Sequence, residues 1–239
     1  MPNEDALADK VALVTGASRG IGLAIARLLG KMGARISICG RDQARLDQAA
    51  LALRGQGIET LALQADVTRA KQVSSLVHET QKEMGPVDIL VNNAGVGVFG
   101  PIQNLEEADW DRVIDTNLKS VFLVSRAVAP EMIRRQTGHI INISSLAGKS
   151  TFATGSIYCA SKWGLMGLTG AMAEDLRAWG IRVSAICPGS VATEFSGQGH
   201  KDSSKALQPE DVAHAVAALV TQAPGSFMSE VHIRPTRKP

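Results

Sequence analysis

The 239-residue chain is 45% hydrophobic and 20% charged, a composition that excludes a largely disordered protein and allows one sizeable buried core. With 25 Lys and Arg against 23 Asp and Glu it carries a net charge of +2, too small to indicate a nucleic-acid-binding surface. It has neither a signal-peptide pattern nor the roughly 18 consecutive apolar residues of a membrane span, so we expect a single cytoplasmic domain over residues 1–239.

Short β-branched segments alternate along the chain with longer segments of helical periodicity. The predicted strands cover residues 11–14, 35–39, 60–64, 89–91, 139–143, 182–186 and 231–233. The predicted helices cover residues 22–31, 41–54, 73–84, 107–135, 156–179 and 210–221. This alternation predicts a single-domain α/β fold of the Rossmann type, a doubly wound parallel sheet of about seven strands with helices on both faces. The polar, non-periodic residues 194–207 are predicted to form a mobile substrate loop.

A glycine-rich turn follows the first predicted strand and reads T-G-A-S-R-G-I-G at residues 15–22. Glycine permits a tight turn and close approach to a phosphate, and the following helix N-terminus offers free N–H groups to an anion. The turn therefore predicts a dinucleotide site, with a glycine turn that binds nothing as the alternative. The predicted cofactor contacts here are Gly16, Ser18, Arg19, Gly20, Ile21 and Gly22.

The end of the second predicted strand indicates which dinucleotide binds. NAD-binding proteins place an acidic residue there to hold the ribose 2′-hydroxyl, whereas this chain has Gly40 followed by Arg41. Arg41 and Arg19 can converge on a 2′-phosphate, so we predict NADP (NADPH) as the cofactor. In the alternative, both arginines are solvated, Asp42 takes the acidic role, and the protein is an NAD-dependent alcohol dehydrogenase of the same fold.

Two further strand ends are predicted to line the adenosine side of the cofactor. The third strand is followed by Asp66 and Val67, and the Asp66 carboxylate can accept a hydrogen bond from the adenine amino group. The fourth is followed by N-N-A-G, which contributes Asn93, Ala94 and Gly95. Both segments are also ordinary turn sequences, so a purely structural role is the alternative.

The candidate catalytic group is Tyr158, the only tyrosine in the chain. Lys162 follows four residues later in a helical pattern, so both side chains lie on one face and the ammonium favours the phenolate. Tyr158 can then donate and accept a proton. Ser145, after the fifth predicted strand, can hold a substrate oxygen against it. Asn117 lies among apolar residues, and we expect its buried amide to bond a water that leads toward Lys162.

These motifs together resemble the short-chain dehydrogenase/reductase family. The resemblance covers nearly the whole chain and rests on the glycine turn, N-N-A-G, Asn117, Ser145, Y-x-x-x-K at Tyr158 and Lys162, and P-G-S-V-A-T at residues 188–193. It implies that a hydride passes between C4 of the nicotinamide and a carbonyl carbon while Tyr158 protonates the oxygen. It also implies that Lys162 bonds the nicotinamide ribose, that Ser145 orients the substrate, and that Asn117 completes a proton relay. The further cofactor contacts that it implies are Tyr158, Lys162, Pro188, Gly189, Val191 and Thr193, with no metal.

Within the family, the chain resembles 3-oxoacyl-(acyl carrier protein) reductases and related ketone reductases. This resemblance implies reduction of a 3-oxoacyl-type or other apolar carbonyl to a secondary alcohol, or the reverse, with an acyl thioester among the candidate substrates. Apolar residues 96–100 and 146–152, with Phe195, are predicted to line the substrate pocket. The predicted helix over residues 156–179 is apolar on more than one side, which indicates a homodimer or homotetramer. A dinucleotide-binding regulatory or scaffold protein without turnover is the alternative to an enzyme.

Overall fold

The computed structural model describes residues 5–196 and 205–237 of the chain. Within them, parallel strands form one seven-stranded sheet in the order β3-β2-β1-β4-β5-β6-β7. The strands are β1 Val11–Thr15, β2 Arg35–Gly40, β3 Thr60–Gln64, β4 Ile89–Asn92, β5 Gly138–Ile143, β6 Ile181–Pro188 and β7 Glu230–Ile233. Most of these strands are buried on both faces, as their continuous apolar sequences require.

Helices cover both faces of the sheet, and each face has its own apolar core. The helices are α1 Gly20–Lys31, α2 Gln43–Arg54, α3 Ala70–Met84, α4 Glu107–Ile114, α5 Ser120–Arg135, α6 Ser156–Arg177 and α7 Pro209–Val220. Helices α1, α2 and α7 pack on one face, and α3, α5 and α6 pack on the other. Adjacent β1 residues alternate between the cores, Ala12 and Val14 in one and Leu13 in the other, because side chains alternate along a strand. The predicted Rossmann-type fold is confirmed.

The predicted helix over residues 107–135 is wrong in its middle. Residues Asp115–Lys119 form a π-helical turn between α4 and α5, and Asn117 lies within it. No glycine or proline marks this position in the sequence, so the helical pattern hides the irregularity. The helix predicted over residues 156–179 also ends earlier, at Arg177.

The chain order places a binding crevice between β1 and β4. These strands are neighbours in the sheet, but the chain continues from β1 to β2 on one side of this pair and from β4 to β5 on the other. Such a switch point leaves a crevice beyond the carboxyl ends of the strands. The glycine-rich turn after β1 and the N-N-A-G segment after β4 therefore meet at this crevice.

The segment predicted as a mobile substrate loop, residues 194–207, is described only at its two ends; residues 197–204 lie outside the described residues. Val191 and Leu207 form an isolated parallel bridge. The Ala192 N–H donates to the Leu207 carbonyl over 2.8 Å, and the Leu207 N–H donates to the Ser190 carbonyl over 2.9 Å. The two ends of the segment are thus held together. Across the described parts of the chain, no helix is both long and apolar enough to span a bilayer.

Candidate active site

The carboxyl ends of the strands open into a cleft of about 1320 Å³. It brings together most of the residues predicted to bind the cofactor or to act in catalysis. Its walls include Gly16, Ser18, Arg19, Gly20, Ile21, Arg41, Asp66, Val67, Asn93, Ala94, Gly95, Ser145, Tyr158, Lys162, Pro188, Gly189, Val191 and Thr193. Two predicted site residues, Gly22 and Asn117, do not line the cleft.

The turn after β1 packs tightly against the segment after β4. Gly16 has a φ of +63°, and a Cβ atom there would lie 2.8 Å from the Ala94 Cα. A Cβ atom at Gly22 would lie 2.5 Å from the Asn93 Nδ2, which itself donates to the Thr15 and Gly16 carbonyls over 3.0 and 3.1 Å. Both glycines are therefore needed for close packing. Gly22 acts through that packing rather than as part of the cleft wall.

The turn fits the pyrophosphate of a dinucleotide. Helix α1 begins at Gly20, and its N-cap residue Arg19 makes no side-chain capping bond. The first N–H groups of the helix therefore have no side-chain acceptor from the N-cap and point toward the cleft side of the turn. Such a helix terminus favours a phosphate anion.

The arginines near the second strand are arranged differently from the prediction. The Arg19 guanidinium forms an ion pair with Glu194 from the segment after β6. Arg45, on α2, lies 3.9 Å from the same Glu194 carboxylate and also lines the cleft. Arg41 is exposed at the cleft wall. Three guanidinium groups thus border the cleft where two were predicted.

Asp42, the alternative acid for the ribose, lines the cleft and caps a helix. Its Oδ1 accepts from the Arg45 N–H over 3.1 Å, so it caps the N-terminus of α2. Its Oδ2 lies 3.4 Å from the Arg45 guanidinium. With one oxygen on the helix terminus and the other near a cation, the carboxylate has a local structural role.

Asp66 forms a tight turn of its own. Its Oδ1 accepts from the Thr68 N–H over 3.0 Å and from the Thr68 hydroxyl over 2.8 Å. Burial raises the pKa of the carboxyl, but the Thr68 bonds and the charges of Arg41 and Arg69 outweigh it, so the pKa lies below its usual value. Asp66 is therefore an ionised acceptor at the cleft wall.

Tyr158, Ser145 and Lys162 meet at one point of the cleft. Ser145 and Tyr158 both line the cleft here, and the Ser145 Oγ accepts from the Ala147 N–H over 3.1 Å. The Lys162 Nζ lies 5.8 Å from the centre of the Tyr158 ring and donates to the Ile143 carbonyl over 2.9 Å. The amine is thus anchored to the end of β5, beside the phenol.

Burial governs the protonation of both groups. It raises the pKa of Tyr158 to about 12, although the Ser145 hydroxyl opposes the rise. It lowers the pKa of Lys162 to about 8. In the protein alone, burial thus outweighs any effect of the neighbouring ammonium on the pKa of Tyr158, and the phenol is protonated at neutral pH.

The Asn117 side chain is hydrogen-bonded to protein atoms, and the water that leads toward Lys162 stays a prediction. Its Oδ1 accepts from the Val96 N–H over 2.8 Å, and its Nδ2 donates to the Val96 carbonyl over 2.9 Å and to the Ser161 hydroxyl over 3.0 Å. The Ser161 hydroxyl in turn donates to the Tyr158 carbonyl over 2.7 Å. Asn117 therefore ties the segment after β4 to the helix that carries Tyr158.

Comparison with known proteins identifies the family. The family model described as short chain dehydrogenase matches residues 10–204, which is most of the chain. The chain belongs to the short-chain dehydrogenase family. The predicted family resemblance is thereby confirmed, and this short-chain dehydrogenase is an oxidoreductase.

Relatives match over nearly the full length of the chain. An uncharacterized oxidoreductase of Staphylococcus saprophyticus is 37% identical over 232 residues, which cover 96% of this chain and 98% of that protein. A metagenomic short-chain oxidoreductase solved in complex with NADP is 45% identical and has a TM-score of 0.87, with 98% of this chain and 100% of that chain covered. An actinorhodin polyketide ketoreductase solved with NADPH is 34% identical and has a TM-score of 0.87, with coverages of 98% and 97%.

The site of this short-chain dehydrogenase contains residues that sequence reasoning missed. Arg45 lies four residues after Arg41, a helical spacing that was available as a signal. Glu194 is 175 residues from Arg19, and nothing local in the sequence connects the two. Ser161 stands between two members of the Y-x-x-x-K motif, but a serine within a helix carries no signal of its own.

Proposed function

We propose that this short-chain dehydrogenase uses NADP(H) to interconvert an apolar ketone and a secondary alcohol, with Tyr158 as general acid and base. The observation that carries the proposal is that Ser145, Tyr158 and the buried Lys162 meet in the cleft, at the crevice where β1 and β4 diverge. A phenol that keeps its proton at neutral pH, next to a hydroxyl and an amine, is suited to protonating a carbonyl oxygen. When bound, the dinucleotide supplies or accepts the hydride at the carbonyl carbon.

The cleft offers distinct groups to each part of the dinucleotide. The glycine turn and the N-terminus of α1 hold the pyrophosphate, and Asp66, Val67 and the N-N-A-G segment border the adenosine. The Pro188–Thr193 segment borders the nicotinamide end, and the Lys162 amine bonds the adjacent ribose. Arg41, Arg19 and Arg45 supply positive charge for a 2′-phosphate, which favours NADP(H) over NAD(H). The NADP and NADPH in two solved relatives support this choice.

The catalytic side chains have separate roles in ketone reduction. The Ser145 hydroxyl donates to the carbonyl oxygen and holds it against the phenol. Tyr158 gives its proton to that oxygen as the carbonyl becomes an alcohol, and the phenolate that remains is stabilised by the Lys162 ammonium. Asn117 is a positioning residue, because its three bonds hold the Tyr158 helix against the segment after β4. In alcohol oxidation the same proton returns to Tyr158.

Tyr158→Phe tests the proposal, because it removes one oxygen atom and leaves the ring packing in place. NADPH oxidation is followed with a panel of apolar ketones, diketones and 3-oxoacyl thioesters, and the variant should lose at least about 100-fold in kcat. Equilibrium NADPH binding is the control and should be unchanged. Parental turnover in the variant, or tight NADPH binding by the parent with no turnover of any carbonyl, would contradict the proposal.

We further propose a homo-oligomer in which α6 contacts a second copy of the chain. Trp163 on this helix is 50% exposed, and Gly167 has no atom of the described chain within 4 Å of a Cβ position. Trp110 and Phe122, on the neighbouring helices α4 and α5, are 48% and 45% exposed. Large apolar side chains around small residues on one face are suited to close helix contact. Sedimentation of the Gly167→Glu variant tests this, since a buried carboxylate at the contact should favour the monomer.

A further inference from the structure

Three of the five phenylalanines in the chain gather around its single tyrosine. The Phe99 ring centre lies 5.4 Å from that of Tyr158 at an interplanar angle of 65°. The Phe195 ring centre lies 5.9 Å from it at 60°. Phe152 extends the group, since its ring centre is 6.0 Å from that of Phe99. Edge-to-face contacts of this kind favour aromatic partners over other apolar groups of similar size.

The three rings come from three different strand ends and are fixed there. Phe99 follows β4, Phe152 follows β5, and Phe195 follows β6. The Gly100 N–H donates to the Thr154 carbonyl over 2.9 Å, which joins the segments that carry Phe99 and Phe152. A Cβ atom at Gly97 would lie 2.7 Å from the Phe99 ring and 3.0 Å from the Phe195 ring, so both rings converge over this glycine. The aromatic group is a built feature of the cleft.

The part of the cleft around these rings has few charged groups among the described residues. Its described lining consists of apolar, hydroxyl and phenol side chains, with Lys162 as the one charged group. The Lys162 amine already donates to the Ile143 carbonyl and lies beneath the phenol. Glu194 adjoins Phe195, but its carboxylate is directed to Arg19 and Arg45. A carboxylate or phosphate on the substrate would find no available cation among these residues.

We infer that the substrate is a neutral aryl ketone, or the matching aryl alcohol, whose ring lies among Phe99, Phe152 and Phe195 while its oxygen meets Tyr158 and Ser145. This inference rests on the proposed function, because it specifies the substrate of the same site. The rings are 39%, 48% and 40% exposed, so they leave ring surface open to a ligand. Since two of the rings contact the phenol and Phe152 adjoins Phe99, an aryl group on the carbonyl carbon would meet them directly.

The test compares two methyl ketones that differ only in their ring, phenyl methyl ketone and cyclohexyl methyl ketone. Leucine keeps most of the apolar volume of phenylalanine and removes its ring. In Phe99→Leu and Phe195→Leu, kcat/KM for the phenyl ketone should therefore fall about two- to tenfold more than kcat/KM for the cyclohexyl ketone. Phe227→Leu is the matched control, because Phe227 lies between α7 and β7 and does not line the cleft. Its ratio of kcat/KM for the two ketones should equal that of the parent.

Binding gives a readout that does not need turnover. Calorimetry with the NADPH-loaded Tyr158→Phe variant should show tighter binding of the phenyl ketone than of the cyclohexyl ketone, and Phe195→Leu in that background should remove the difference. Equal losses for both ketones in the leucine variants, or equal binding of both, would overturn the aryl inference. In that case reduction of the cyclohexyl ketone would still support the proposed function, whereas failure to turn over any carbonyl would remove the proposed function itself.

Discussion

The Glu194 carboxylate forms an ion pair with the Arg19 guanidinium, and this contact joins the segment after β6 to the glycine turn after β1. The same carboxylate lies 3.9 Å from Arg45. Two of the three arginines that border the proposed 2′-phosphate region therefore already have an anionic partner from the chain itself. A phosphate that binds these arginines must compete with Glu194.

Glu194→Gln should strengthen NADPH binding by about two- to fivefold, because it removes the competing charge while keeping the shape of the side chain. The effect is modest because the Arg19 and Glu194 side chains are 52% and 75% exposed. NADH, which lacks the 2′-phosphate, is the control ligand and should bind both proteins equally. Fluorescence titration measures both affinities. Weaker NADPH binding, or an equal change for the two dinucleotides, would show that Glu194 does not compete with the phosphate.

Arg41→Ala should weaken NADPH binding by about tenfold and leave NADH binding unchanged, since a charge-assisted bond to the 2′-phosphate is lost. Arg45→Ala should have a smaller effect of the same sign, because Arg45 is also engaged by Asp42 and Glu194. The measured quantity is the ratio of the dissociation constants for NADPH and NADH, determined for each protein. An unchanged ratio in Arg41→Ala would remove the basis for the NADP(H) preference and favour the NAD-dependent alternative.

The parts of this protein that follow local rules could be predicted from its sequence. The first strand is a continuous apolar run, and the turn at residues 15–22 places glycine where the backbone has a positive φ or a close neighbour. Tyr158 and Lys162 share a helix face because of their spacing alone. These features depend on residues that are near one another in the chain, so their pattern is visible without a structure.

Contacts between distant segments could not be predicted in the same way. The sequence does not reveal that Val96 and Ser161 come within hydrogen-bonding distance of Asn117. The charge next to Tyr158 is visible in the sequence, whereas the burial that raises the pKa of the phenol is not. The sequence placed Phe99, Phe152 and Phe195 at the pocket, but the contacts between these rings and Tyr158 depend on how three strand ends meet.

The rates of ketone reduction and of alcohol oxidation should depend on pH in different ways. Between about pH 6 and 7.5, below the pKa of about 12 for Tyr158 and of about 8 for Lys162, the phenol is protonated and the amine is charged. Ketone reduction needs the phenol proton. Because the phenol stays protonated throughout this range, the reduction rate should not fall as the pH rises. Alcohol oxidation needs the phenolate and should rise by up to about tenfold per pH unit.

Initial rates in both directions, at constant ionic strength, check this expectation. Lys162→Met removes the ammonium that stabilises the phenolate, so its oxidation profile should be displaced to higher pH. An oxidation rate that is independent of pH in this range, or a Lys162→Met profile that coincides with that of the parent, would contradict the assignment of proton transfer to Tyr158.

A buried histidine should make the fold sensitive to acid. His139 is 1% exposed on β5, and its Nε2 lies 2.9 Å from the Ser184 hydroxyl. Burial, with a contribution from Arg182, lowers the pKa of His139 from 6.5 to about 3. Between these two values the unfolded chain binds a proton that the folded chain does not. The stability that this histidine provides is therefore complete above pH 6.5 and is lost progressively as the pH falls toward 3.

Urea unfolding at several pH values between about 7 and 4.5 measures this loss. Glutamine cannot gain a proton in this range and retains a donor for the Ser184 contact. As the pH falls, the free energy of unfolding should therefore decline less steeply for His139→Gln than for the parent. The two slopes should differ by up to about 1.4 kcal/mol per pH unit, even if the variant starts from a lower stability. His78→Gln, at an exposed position on α3, is the matched control and should keep the parental slope. Equal slopes for His139→Gln and the parent would mean that groups other than His139 take up the proton that drives acid unfolding.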